Sequence, residues 1–133
     1  MTEATLQNII RLQLAVGTAV VYLNGVMPDT EVRAQVSAEI VALYDITTKW
    51  LRGEQHFVDN DQLPPVTQTR LERLALAHAW RELAIQVRTM IATHRAPKGA
   101  TQARKQALDA LTQEIRACPK LNKMAIPDSR KAI

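Results

Sequence analysis

The chain has 133 residues and a mass of 14.9 kDa, the size of one domain. Apolar residues make up 47% and charged residues 23%, which excludes a wholly disordered chain. Seventeen Lys+Arg against 13 Asp+Glu give a net charge of +4; one cysteine and three scattered histidines exclude a disulfide framework, a cysteine-rich zinc module and a histidine-rich metal centre.

Breakers divide the chain into four segments without strand-like alternation. They are Asn24-Gly25 followed by Pro28-Asp29, the loop from Gly53 to Pro64-Pro65, Pro97-Lys98-Gly99, and Pro119. The first predicted helix spans about residues 5–23, with Gly25 placed for a left-handed cap. Its apolar residues, Leu6, Ile9, Ile10, Leu12, Leu14, Val16, Val20, Val21 and Leu23, go nearly all the way round. Such a helix is either central in its bundle or shared with another subunit. Ala15, Gly17 and Ala19 leave room for a neighbouring backbone.

The second predicted helix, about 30–52, starts from Asp29 as N-cap with Glu31 near the positive end of the dipole. Val32, Val36, Ile40, Leu43, Tyr44, Thr47, Trp50 and Leu51 recur at helical steps, and Lys49, Arg52 and Gly53 form a C-terminal signature. The third, about 66–95, carries two apolar faces and so predicts two neighbours. Leu76, Trp80, Leu83, Val87, Met90 and His94 lie on one, and Leu71, Leu74, His78 and Ile85 on the other. The fourth, about 101–118, has a narrow stripe of Leu108, Leu111, Ile115 and Cys118, as an outer helix would, with Cys118 a small core residue. The expected fold is an all-α, antiparallel four-helix bundle over residues 1–118, followed by a basic, partly disordered tail over 119–133.

The most apolar stretch, Leu12 to Met27, is interrupted by Gln13, Thr18 and Asn24 and is shorter than the roughly 20 residues a bilayer span needs. Glu3 precedes Arg11, unlike the basic start of a secretory signal. The expectation is a cytoplasmic protein with no membrane partner, its lone thiol suited to a reducing compartment.

Charge is uneven. Residues 1–64 hold four Lys+Arg and eight Asp+Glu, net −4; residues 65–94 hold four and two, net +2; residues 95–133 hold nine and three, net +6. On the third helix Arg70, Arg81, Arg88 and Arg95 fall within about 40° of one another. Lys120, Lys123, Arg130 and Lys131 extend the basic character into the tail. These eight residues are the candidate partner-binding set, because arginine's planar fork grips phosphates. The alternative is that the arginine stems cover apolar surface and their heads meet Glu31, Glu39 or Asp45 of the second helix.

Reactive constellations are sparse. No two glycines lie close enough to cradle a phosphate, and neither Ser37 nor Ser129 sits in a turn that would present a nucleophile. Glu54, His56, Asp59 and Asp61 collect in one loop, but Pro64 and Pro65 stand where a calcium loop needs its later ligands, which favours an ordinary polar loop. Arg73-Leu-Ala-Leu-Ala-His78, an arginine, four residues and a histidine in a predicted bundle helix, resembles the active-site pattern of HEPN-type helical ribonucleases. The resemblance covers these six residues, and Leu74 stands where that family places a polar side chain. It implies His78 as general acid/base and Arg73 as charge stabiliser, usually across a dimer, although the two are about 140° apart on an ideal helix. In this helix His78 is expected among Leu71, Leu74 and Ile85, with Glu82 as its partner.

The leading expectation is a non-enzymatic helical binding or regulatory protein without catalytic residues, metal or cofactor. It would dock a macromolecular partner, either another protein or a second copy as a homodimer. Nucleic-acid association through the arginine row and tail, and HEPN-like ribonuclease activity, stand as alternatives.

Overall fold

The computed structural model describes residues 6–26, 31–57, 64–94 and 96–118. They form α1 (Leu6–Val26), α2 (Glu31–Leu51), α3 (Pro65–Thr93) and α4 (Thr101–Ala117), with no strand among the described residues. The all-α bundle follows the breakers. Asp29, Arg95 and the tail with Lys120, Lys123, Arg130 and Lys131 lie outside the described residues.

Helix ends are explained by local chemistry. After α2, Gly53 takes φ +73°, its N–H bonds Trp50 O at 3.0 Å and the Glu54 N–H bonds Lys49 O at 2.9 Å. That pair of bonds is a Schellman closure, which needs the left-handed conformation glycine adopts without strain. α3 opens with Pro65 at the first helical position, where a missing N–H is harmless. α1 departs from expectation: it runs on to Val26, Gly25 stays inside the helix, and the predicted left-handed cap is not formed. The next breaker is Pro28, which disfavours helical geometry only at the residue before it, so nothing in the sequence forces an earlier stop.

α3 is the axis of the fold. It packs against α1 and α4, which also pack against each other, while α2 rests on α3 and barely meets the other two. Neighbours in sequence run antiparallel: Arg104 on α4 donates to Ala92 O on α3 at 3.1 Å. α4 also runs antiparallel to α1, with Asn8 Nδ2 at 3.5 Å from Ala117 O. Both predicted faces of α3 are used. Leu76, Trp80, Leu83 and Val87 are buried, and Leu71, Leu74, His78 and Ile85 are half-buried. The buried alanines Ala75, Ala77 and Ala84 let its neighbours come close. The α4 stripe behaves as the pattern predicts, with Leu111 and Cys118 buried and Leu108 and Ile115 half-buried.

Candidate docking surface on α1 and α2

α1 contributes one arc to the core: Ile9, Leu12, Ala15, Val16, Ala19 and Leu23 are buried. Its second apolar arc is outside. Leu6, Ile10, Leu14 and Val21 are exposed, Leu14 by 67% and Val21 by 73%. At about 100° per residue these four and Gly17 share a sector of about 80°, so they form one stripe along the helix. Of the two roles open to a helix apolar all round, α1 is therefore not the central element. α3 holds that place.

α2 adds a second exposed flank. Val36, Leu43 and Thr47 point inward, whereas Val41 (68% exposed), Tyr44 and Leu51 lie outside. Two observations put this flank beside the α1 stripe. Leu6 of α1 and Leu51 of α2 line the same cleft at one end of the helix pair. At the other end, Arg33 Nη1 of α2 donates to Asn24 Oδ1 of α1. The two helices therefore lie antiparallel with both apolar flanks on the same side. The seven exposed side chains together expose on the order of 700 Å², somewhat above the roughly 300–600 Å² of the largest apolar patch on a typical monomer.

The α1 stripe carries no charge, and at the joint with α2 Arg33 is engaged by Asn24. Arg11 is the only charged residue in α1, and it lies about 60° beyond Leu14, off the stripe. On α2, Asp45 is paired with Lys49 at 3.1 Å. A face of this kind offers shape and apolar contact.

The cleft at the Leu6 end has a volume of about 370 Å³ and is walled by Leu6, Trp50, Leu51, Thr69 and Arg73. Glu72 forms part of its lining, yet its carboxylate is already engaged: one oxygen accepts from the Phe57 N–H and the other lies 2.9 Å from His56 Nδ1. These bonds fasten the α2–α3 loop to α3 and bring Phe57 into the core. His56 thus holds the loop to a buried carboxylate, a pairing across 16 positions that no local pattern announces. Among the described residues no group of three or more His, Cys, Asp or Glu is placed to hold a metal ion, and Asp59 and Asp61 lie outside them.

The arginine row is turned towards α4. Arg88 Nε donates to Thr112 Oγ1 at 2.7 Å, and the Arg81 side chain, only 14% exposed, lies near Cys118. The expected contacts with Glu31, Glu39 or Asp45 of α2 are not made by these two arginines, because α4 occupies that side of α3 and α2 packs elsewhere on it. Arg70 is exposed near the start of α3. Of the eight candidate partner-binding residues, the structure therefore describes three, and two of those serve the α3–α4 seam.

Cys118 is buried at the end of α4 as its stripe position implies. Burial pushes its thiol above the ordinary value of 9.0, against a smaller opposing pull from the Arg81 charge. The HEPN-like pair stays apart. α3 is unbroken from Arg73 to His78, so the two keep their separation around the helix, and Arg73 lines the cleft while His78 does not.

α1 also corrects the length estimate made on its most apolar stretch. Beginning at Leu6, it is long and apolar enough to cross a bilayer by length and composition, although its inner arc is committed to the core. No family model, no curated protein and no solved structure matches this chain.

Proposed function

We propose that this protein is a non-enzymatic docking module whose working surface is the uncharged apolar face shared by α1 and α2. The single observation that carries the reading is the second apolar arc of α1. Leu14 and Val21 stand in water, as do Val41 and Tyr44 of α2, while the same helix supplies a full arc to the core. Exposed side chains scattered singly call for no explanation, but a continuous stripe extended by a neighbouring helix marks an interaction site. The described polar groups support the same reading. Glu72 fastens a loop, Arg88 and Arg104 bind α4 to α3, and Thr47 and Trp80 bond to each other in the core.

A face-specific photo-crosslinking experiment tests this. A photoreactive amino acid at Leu14 or Val41, in the full chain expressed in its own cells, is expected to give discrete adducts of defined mass. The same group at Lys105, exposed on α4, is expected to give none. Equal labelling from all three positions, or adducts from Lys105 alone, would overturn the reading.

A further inference from the structure

Docking through α1 and α2 leaves the occupant open. We propose that it is a second copy of this chain, laid with its α1 antiparallel across the first near Gly17; the inference rests on the docking reading above.

Gly17 is the first reason. It lies inside α1, where glycine is disfavoured relative to alanine, yet its φ is not positive, and a Cβ built there would meet nothing within 4 Å. Nothing in the described chain therefore requires a glycine on the exposed stripe. The glycine leaves room for a helix to approach closely from outside.

Register is the second. A two-fold axis between Gly17 and Thr18 sets Leu14 opposite the second copy's Val21, and Ile10 opposite its Gly25. Leu14 then packs against Val21, and Ile10 meets a glycine, so apolar side chains and gaps alternate across the pair.

Charge and area select among occupants. The α1 stripe itself carries no charged residue, Asp45 beside the α2 flank is paired with Lys49, and Arg33 at the α1–α2 joint is engaged by Asn24, so little bare charge opposes two identical surfaces. The exposed surface of the seven side chains on α1 and α2, on the order of 700 Å² per copy, sets an upper bound close to the roughly 800 Å² per partner of a standard stable interface. A bilayer fits less well. Residues 1–64 carry net −4, from four Lys+Arg and eight Asp+Glu, whereas helices lying on anionic membranes present a basic polar face.

The test uses the full chain. Light scattering at about 100 µM should return twice 14.9 kDa, and Leu14→Glu and Gly17→Leu should each weaken association at least about tenfold with unchanged helical circular dichroism. Both positions are open in the single chain, so neither change disturbs its core. Val21→Glu provides a second exposed position if one variant fails to fold. Register is read by mixing Leu14→Cys and Val21→Cys proteins under mild oxidation; the native Cys118 is buried. The mixed disulfide should exceed either self-linked species at least about fivefold, against a statistical excess of about two. A monomer at this concentration, a dimer indifferent to all three substitutions, or a preference for self-linked products would overturn the proposal. Flotation of a monomer with phosphatidylserine-containing vesicles would make the occupant a bilayer, overturning the second copy while keeping the docking reading. A monomer whose Leu14 photo-adducts carry a different protein would do the same, and a monomer giving no face-specific adduct would remove both.

Discussion

Cys118 has its thiol in the core and a cation nearby, and burial outweighs the cation. The folded chain therefore holds this proton to a higher pH than the unfolded chain does. Above the ordinary value of 9.0 the unfolded state loses its proton first and binds fewer protons than the native state, so stability falls as pH rises. The contribution is fully present below 9.0 and is lost as the pH climbs from there through the raised native value. Chemical denaturation from pH 8 to 11 should show a steeper alkaline loss for the wild type than for Cys118→Ala, roughly in the range where free thiols titrate. Identical slopes for the two proteins would remove Cys118 as the cause. The position of this residue was readable from the α4 stripe. The proximity of Arg81 was not, because the row angle placed the arginine on α3 without saying which helix would lie beside it.

At the scale of elements, α2 is the least embedded helix, and one polar contact in the core ties it to α3. Thr47 Oγ1 donates to Leu43 O at 2.7 Å and accepts from Trp80 Nε1 at 2.9 Å, with both side chains buried. The isosteric Thr47→Val removes the acceptor and leaves the Trp80 N–H buried without it. The expected loss is about 1–3 kcal/mol, read as a lower denaturant midpoint, and Thr47→Ser, which keeps the hydroxyl, should lose less. A Thr47→Val protein as stable as the wild type would show that this bond does not hold α2 in place. The sequence placed Thr47 and Trp80 on inward faces because the helical period is strong in both segments. Their bond was not legible, since it depends on how far α2 is shifted along α3. The end of α1 is not legible in the sequence either, because Asn24-Gly25 has the composition of a helix stop and only the continued geometry to Val26 denies it.

For the whole molecule, the sequence left two roles open to α1, and the packing within the chain leaves the central one to α3. With α3 at the axis, α1 can bury only one of its two apolar arcs, and α2 rests on α3 without covering the other. Hydrophobicity alone could not say which arc would be inside, since Leu14 and Val21 are as apolar as Leu12 and Val16. The basic face drew attention in the sequence because clustered arginines are conspicuous there. In three dimensions Arg81 and Arg88 are turned into the α4 contact, and among the described residues the larger uncommitted feature is apolar. Hydroxyl-radical footprinting of the full chain, concentrated and dilute, tests this most directly, with Val66, 83% exposed on α3, as an internal reference. Leu14, Val21, Val41 and Tyr44 should be protected at high concentration and become reactive on dilution while Val66 is labelled equally in both. Uniform labelling at every concentration, or protection centred on the α3–α4 arginines, would contradict the account.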